Sequence, residues 1–137
     1  MNIVTKKEDN NLPQLKTLGK LNMQIITMEF GKLQTDKLIV TDERLLHIKA
    51  HHSHDYELFE EYGSINIAQP DYIIKDEKHA GTIFMVKKLK NTNLNVIVRL
   101  ALITDKIGLS NSIMTFYRIR EKNLKKLINK NKLLYKK

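Results

Sequence analysis

The sequence predicts an α+β protein in which N-terminal helices pack on a four-stranded antiparallel β-meander, followed by a basic C-terminal helix. Two changes of period support this prediction. Apolar residues recur at helical spacing between residues 42 and 65, alternate at strand spacing between 71 and 119, and return to helical spacing after 121. Short connections between the strand candidates favour antiparallel neighbours, and helices followed by a sheet are typical of an α+β domain.

Length and composition fit a single globular domain. The chain has 137 residues, of which 42% are hydrophobic and 28% are charged, as in ordinary soluble proteins. It has no cysteine, which excludes disulfides, thiolate zinc sites and cysteine nucleophiles. No apolar run approaches the ~20 residues that span a bilayer, and the N-terminus lacks the apolar segment of a signal peptide. We therefore expect a cytoplasmic protein with no membrane partner.

The first 34 residues are interpreted as a lead-in to a folded domain over residues 35–137. Residues 1–20 are polar and rich in Asn and Lys, so we expect little structure there. Met23–Phe30 alternates, with Ile26, Met28 and Phe30 on one side and Ile25, Thr27 and Glu29 on the other, which predicts a strand. Lys37–Val40 is a second short apolar run, and the pattern does not indicate its pairing partner.

Two helices are predicted before Pro70. Thr41 or Asp42 suits the N-cap of the first helix, which runs to about His51. Ser53 is an N-cap candidate for the second helix. This helix must end before Pro70, because proline lacks a backbone N–H and restricts the preceding residue.

Four strands and a terminal helix are predicted after Pro70. Gly, Asn and Asp-rich turns separate the strand candidates, which are Asp71–Lys75, Thr82–Lys88, Leu94–Ile103 and Ser112–Ile119. Leu124, Leu127 and Ile128 then fall at helical spacing on a basic background. This pattern predicts a helix over Glu121–Lys132.

The positive charge is concentrated at the C-terminus. Residues 118–137 hold nine Lys or Arg and one acidic residue, so they carry +8 of the net charge of +9. A local basic patch is the electrostatic footprint of a protein that binds a polyanion. A solvated, lysine-rich helix end has the same composition, and the charge alone leaves both interpretations open.

Four of the five histidines are clustered in the first two helices. His47 and His51 are four residues apart, so a helix places them on one face. Histidine can take and give a proton near neutral pH, and RNA cleavage needs a base for the 2′-hydroxyl and an acid for the leaving 5′-oxygen. These two residues are our candidates for both roles, although helical histidines are often only surface residues, as we expect for His52, His54 and His79.

A metal site is a less favoured interpretation of the same helix. His47, His51 and Asp55 recur every four residues, and two imidazoles with a carboxylate can ligate zinc or iron. A metalloprotease helix needs a glutamate base after its first histidine, and Ile48 occupies that position. Because RNA carries its own nucleophile, cleavage needs no metal-activated water, and we expect no metal or cofactor.

Residues on the predicted sheet could hold the phosphate. Arg99 lies in an otherwise apolar strand, so its guanidinium must reach solvent, an acid or a phosphate. Strict alternation places Ser112 and Thr115 on opposite faces, so both face one site only if Ser112 precedes the strand or a bulge intervenes. The RNA backbone would be attracted by the basic residues Lys49, Arg118, Arg120 and Lys122 and by the terminal lysines.

Six segments within residues 35–137 resemble a known family in their order and spacing. They are Thr41–His51, Asp55-Tyr56, Pro70–Ile73, Thr82-Ile83, Val96–Leu100 and Asn111–Thr115. Together they resemble the phage and mobile-element branch of the barnase–EndoU–colicin–RelE nuclease superfamily (BECR fold). The resemblance implies a metal-independent endoribonuclease, bacterial or phage-encoded, of the effector or toxin type.

The resemblance also implies site residues and alternatives. It maps the family's helix histidines to His47 and His51, and its late Ser and Thr to Ser112 and Thr115. The family often has Arg before the second histidine, where this chain has Ala50. The resemblance therefore implies either weaker phosphate binding or compensation by Lys49. Many relatives are nucleases only by prediction. The alternatives are therefore a non-catalytic RNA-binding module, or an interaction module whose partner is an acidic immunity or antitoxin protein.

Overall fold

The computed structural model describes residues 15–137. The strands are β1 (Leu15–Lys20), β2 (Lys37–Thr41), β3 (Tyr72–Lys75), β4 (Thr82–Lys88), β5 (Asn93–Arg99), β6 (Asn111–Ile119) and β7 (Lys132–Lys136). The helices are α1 (Met23–Phe30), α2 (Asp42–His51), α3 (Ser53–Ala68) and α4 (Glu121–Lys130). The strands form one curled half-barrel sheet in the order β1-β2-β6-β5-β4-β3-β7.

The predicted fold class, helices on a four-stranded antiparallel meander, is wrong. The strands β3 to β6 pair consecutively, but they form only the middle of a mixed, seven-stranded sheet. The strands β2 and β1 extend the sheet beyond β6, and β2 pairs with β6 in parallel, with Leu38 opposite Asn111. A parallel pair needs a long crossover, which here includes two helices and three strands, so no local pattern could indicate it.

The lead-in predicted over residues 1–34 contains two elements in its described part. Its first 14 residues lie outside the described residues. Residues Leu15–Lys20, where we expected little structure, form β1 at one edge of the sheet.

The strand predicted over Met23–Phe30 is wrong, because this segment is helix α1. Asn22 caps it by accepting a hydrogen bond from the backbone N–H of Ile25 at 3.4 Å, and Gly31 ends it with φ 76°. Ile26 is fully buried in the main core. Apolar residues in eight positions can fit one face of a strand or of a helix, and here the cap and the packing of Ile26 favour the helix.

Strand β7 begins at Lys132, where the predicted terminal helix ends, and it occupies a tail for which we predicted no strand. It follows α4 after one residue and pairs antiparallel with β3, half-burying Leu134 and Tyr135. Glu29 of α1 accepts hydrogen bonds from Lys132 at 2.8 Å and Lys75 at 2.9 Å. These hydrogen bonds, first from Lys132 and then from Lys75, lower the pKa of the Glu29 carboxyl. The ionised glutamate therefore links α1 to both strands.

The two faces of the sheet are covered differently. The helical face is the side on which Ile83, Met85, Val96 and Phe116 point, and it packs against α1, α2 and α3 in the main core. The open face is the side on which Thr82, Phe84, Ile97 and Arg99 point, since adjacent strand residues face opposite ways. Helix α4 covers part of the open face by burying Leu124 in a second apolar cluster with Ile74, Phe84, Val86 and Ile119.

Candidate functional site

Three of the five predicted catalytic residues lie together on the open face. Ser112 of β6 pairs with Arg99 of β5, and Thr115 pairs with Ile97. Arg99 and Ile97 are two residues apart on one strand, so they and their partners point to the same side of the sheet. The structure therefore brings Arg99, Ser112 and Thr115 to one surface.

A β-bulge allows Ser112 and Thr115 to share this face. The register of β5 and β6 shifts between Ile97 and Val98, so β6 carries one extra residue between Ile113 and Thr115. The extra residue is Met114, whose exposed side chain lines a groove on the open face. Of the two arrangements that would let both hydroxyls face one site, Ser112 before the strand or a bulge within it, the structure has the bulge.

His47 and His51 lie on the other side of the sheet. Both side chains are exposed on α2, which packs against β2 and β6 through Leu45 and Ile48, two residues of the main core. The ring centroids of His47 and His51 are 4.6 Å apart, as expected for residues one helical turn apart. The sheet therefore separates the histidine pair from the three predicted residues of the open face.

Asp55, the third residue of the candidate metal set, points toward the sheet. Its Oδ1 accepts hydrogen bonds from the backbone N–H of Arg118 at 3.1 Å and from Arg118 Nε at 2.8 Å. This places the side chain of Arg118, a predicted RNA-binding residue, on the helical face. Within residues 15–137, no group of three or more His, Asp and Glu side chains could hold a metal ion.

The other predicted RNA-binding residues are dispersed. Lys49 places its Nζ 5.4 Å from the ring centroid of Tyr56, at the α2–α3 corner. Arg120 and Lys122 are exposed at the start of α4. Arg120 lines a small cavity of about 320 Å³ with Lys88 and other residues of the β4–β5 turn. Arg120 and Lys122 lie at the N-terminal end of α4, whereas the C-terminal end of this helix adjoins the groove on the open face.

The groove on the open face has a volume of about 810 Å³. Phe84, Ile97 and Met114 give it an apolar floor, and its rim carries two cations, Lys78 and Arg99, together with the carboxylate of Asp76. An adjoining cavity of about 550 Å³ shares Lys78 and Phe84 with the groove and extends to Leu127 and Lys130 of α4. An apolar floor with a few polar groups is typical of a ligand site, and the two cations of the rim can contact an anion there.

His79 lies on this rim and contacts a buried carboxylate. We expected His79 to be a simple surface residue, but its Nδ1 lies 2.9 Å from Oδ2 of Asp76. The backbone N–H groups of Lys78 and His79 donate to Asp76 Oδ1 at 2.8 and 3.3 Å. Asp76 is only 7% exposed. Only its three-residue spacing from His79 within a predicted turn could have indicated this pair from the sequence.

Hydrogen bonding keeps Asp76 ionised despite its burial. Burial raises the pKa of this carboxyl, but hydrogen bonds from the His79 ring and from two backbone N–H groups outweigh it. The net effect lowers the pKa below the ordinary value of 3.8. Asp76 is therefore a carboxylate at neutral pH, and it can only accept hydrogen bonds.

Arg99 is held against the turn that carries His79. Its guanidinium donates to Asp105 Oδ1 at 3.1 Å and to the backbone carbonyl of Leu100. A hydrogen bond from the backbone N–H of Leu102, followed by the one from Arg99, lowers the pKa of Asp105. Gly81 has φ 72°, and a Cβ at this position would overlap Arg99 Nη1. Glycine therefore provides both the turn and the space for the guanidinium.

Comparison with protein-family models, curated proteins and solved structures finds no match for this chain. None of the helices within residues 15–137 has the length and apolar composition needed to cross a membrane. The candidate site is therefore defined by its geometry: an open groove with an apolar floor, two cations on its rim and a carboxylate–imidazole pair.

Proposed function

We propose that this protein is a metal-independent ribonuclease that binds RNA on the open face of its sheet. The observation that supports this function is the alignment of Arg99, Ser112 and Thr115 on one surface by the bulge at Met114. A guanidinium and two hydroxyls can donate hydrogen bonds to the phosphate oxygens on which RNA cleavage develops negative charge. The Ser112 hydroxyl donates to the carbonyl of Ser110 at 3.1 Å, so it must turn away from that carbonyl to contact a phosphate. The 2′-hydroxyl of RNA is the nucleophile, so the reaction needs no metal-activated water.

The charge of α4 supports RNA as the ligand of this face. The exposed lysines of this helix are Lys122, Lys125, Lys126 and Lys130, and Lys130 lines the cavity that adjoins the groove. Lysines attract the phosphate backbone without reading sequence, and this attraction weakens as salt rises. An RNA strand that follows α4 toward its C-terminal end would reach Arg99 and the two hydroxyl residues.

A non-catalytic RNA-binding module is the second candidate, and two observations favour it. His47 and His51, the residues first assigned to proton transfer, lie behind the sheet from Arg99. Asp105 also accepts a hydrogen bond from the Arg99 guanidinium, which reduces the charge available to a phosphate. Both candidates use the same surface and predict the same salt-dependent binding, so cleavage alone separates them.

The test is cleavage of a labelled RNA in excess EDTA by the wild-type protein and by Arg99→Ala. Arg44→Ala on α2 is a matched control, because Arg44 is an exposed arginine on the helical side of the sheet. We expect wild-type products with 2′,3′-cyclic phosphate ends, a fall of ~10²-fold or more in Arg99→Ala, and no change in the control. Circular dichroism would confirm that both variants fold.

Binding measured across a salt series completes the test. The double variant Lys126→Ala/Lys130→Ala should bind RNA more weakly and lower the slope of log K against log salt by ~1 to 2. Intact RNA with this salt-dependent binding would select the binding module. The absence of both cleavage and binding would contradict both candidates, and then an acidic protein becomes the partner to test.

A further inference from the structure

We propose that His79, held by the carboxylate of Asp76, is the catalytic base of the groove and takes the proton of the RNA 2′-hydroxyl. This inference rests on the proposed ribonuclease function and deepens it. It assigns proton transfer to His79, in a turn on the open face beside Arg99, and no longer to His47 and His51 on α2.

The contact with Asp76 sets the tautomer of His79. An ionised carboxylate only accepts hydrogen bonds, so Nδ1 of His79 must donate across the 2.9 Å contact. In the neutral ring the other nitrogen, Nε2, is then a free acceptor, which is the form that a general base needs. The carboxylate is fixed in turn by two backbone N–H groups, so it can hold the ring in one orientation.

The contact with a buried carboxylate distinguishes His79 from His47, His51 and His54. The rings of His47 and His51 contact each other, and among the described residues neither ring forms an ion pair with a carboxylate. His54 Nδ1 lies 3.7 Å from Glu57 Oε1, and these two side chains are 76% and 73% exposed. In contrast, the side chain of Asp76 is 9% exposed while that of His79 is 69% exposed. This is the arrangement of an oriented group that a substrate can reach.

The backbone holds the His79 turn close to Arg99. The N–H of Thr82 donates to the carbonyl of His79 at 3.2 Å, and the N–H of Leu100 donates to the carbonyl of Gly81 at 2.8 Å. His79 and Arg99 both line the groove. A phosphodiester bound there would meet an imidazole from the turn and a guanidinium from β5.

The reaction follows from these positions. Nε2 of His79 takes the proton of the 2′-hydroxyl, and the 2′-oxygen forms a bond to the adjacent phosphorus. The bond from phosphorus to the 5′-oxygen breaks, and that oxygen takes a proton from water in the open groove. The products are a 2′,3′-cyclic phosphate and a 5′-hydroxyl, and the imidazolium returns its proton to solvent. Arg99 and Lys78 stabilise the negative charge on the phosphate oxygens.

The experiment compares cleavage of RNA in excess EDTA by the wild-type protein, His79→Ala and the matched control His54→Ala. We expect His79→Ala to lose ~10² to 10⁴-fold in rate and to bind RNA within about twofold of wild type, whereas His54→Ala keeps its full rate. Added imidazole should restore part of the lost rate in His79→Ala. Asp76→Asn should lower the rate and shift its pH profile, as expected of a positioning residue.

A second measurement does not depend on the folding of a variant. Long-range ¹H–¹⁵N spectra of the wild-type imidazoles should show the Nδ1–H tautomer for His79, and its Nε2 signal should shift when a 2′-O-methyl RNA binds. The Nε2–H tautomer would overturn the inference. If wild type and His79→Ala cleave equally well, His79 is not the base and the ribonuclease function stands. If the wild-type protein cleaves nothing, both the function and the role of His79 are overturned.

Discussion

The histidines on α2 and the histidine beside β4 differ in their surroundings. His47 and His51 are prominent in the sequence, but their exposed rings contact each other on the helical side of the sheet. His79 is isolated in the sequence, yet a buried carboxylate orients it on the rim of a groove. Acid–base chemistry depends on orientation and on nearby charge more than on the number of histidines. The comparison favours the open face as the functional surface.

The two faces of the sheet also differ in how much apolar packing they contribute to stability. The helical face carries the main core, in which the rings of Phe59 and Phe116 stack with centroids 3.9 Å apart. The open face beyond α4 leaves Met114 exposed and Ile97 half-buried. We therefore expect the helical face to dominate the free energy of unfolding and the open face to dominate RNA binding and cleavage.

The largest effect is expected for Phe116→Ala. Phe116 is 2% exposed on the helical face, so its truncation should lower the free energy of unfolding by about 3–5 kcal/mol. Urea unfolding measures this loss. Met114→Ala, two residues away on the open face, is the control and should change stability by no more than ~0.5 kcal/mol. Equal losses in the two variants would contradict the assignment of the core.

Asp76→Asn should lower stability by about 1–3 kcal/mol at pH 7, because it disrupts the hydrogen bonds of a buried carboxylate. The pKa of Asp76 is lower in the folded protein than its ordinary 3.8, so the ionised form favours folding. Its contribution is complete above about pH 5 and is lost as the pH falls through 3.8 toward the folded pKa.

Urea unfolding from pH 3 to 7 tests this linkage. The curves of wild type and Asp76→Asn should converge as the pH falls, while Glu29, Asp105 and Glu121, whose pKa values are also lowered, act alike in both proteins. A constant gap between the two curves would contradict the role of the Asp76 charge.

Gly81→Ala should destabilise the protein by about 1 kcal/mol, because its φ of 72° is unfavourable for alanine. The new Cβ would also displace the Arg99 guanidinium, so RNA cleavage and affinity should fall. Gly108→Ala is the matched control, since its φ is 93° but no atom lies within 4 Å of the added Cβ. An equal loss of RNA binding in both variants would argue against a role for the Arg99 contact.

The smallest effects are expected for His47→Ala and His51→Ala. Both residues are exposed and lie on the helical side, so each variant should keep its stability within ~0.5 kcal/mol and its cleavage rate within about twofold. The assay is the same RNA cleavage in EDTA. A cleavage rate that falls tenfold or more in either variant would indicate that proton transfer occurs on α2 and that the helical face carries the function.

Local patterns predicted some elements and missed others for identifiable reasons. The helices α2 and α3 and the strands β3 to β6 follow from periodicity and from the break at Pro70, signals that act within one segment. The predicted N-cap of α3 is wrong: Ser53 is its first residue, and the N-cap is His52, which makes no side-chain cap hydrogen bond. The strands β1 and β7 are short and lie in lysine-rich segments, and they are stabilised by pairing at the two edges of the sheet. Helix α1 was missed because its alternating pattern also fits a strand.

The sequence by itself determined the basic C-terminal segment and the isolated Arg99. It also determined that Ser112 and Thr115 share a face only if Ser112 precedes the strand or a bulge intervenes. Those features depend on residue type and on neighbours along the chain. Only the tertiary structure decided that α2 lies behind the sheet and that His79 meets Asp76 beside Arg99. Strand pairing brings together residues far apart in the chain, and the face on which each side chain points depends on a register that local periodicity does not specify.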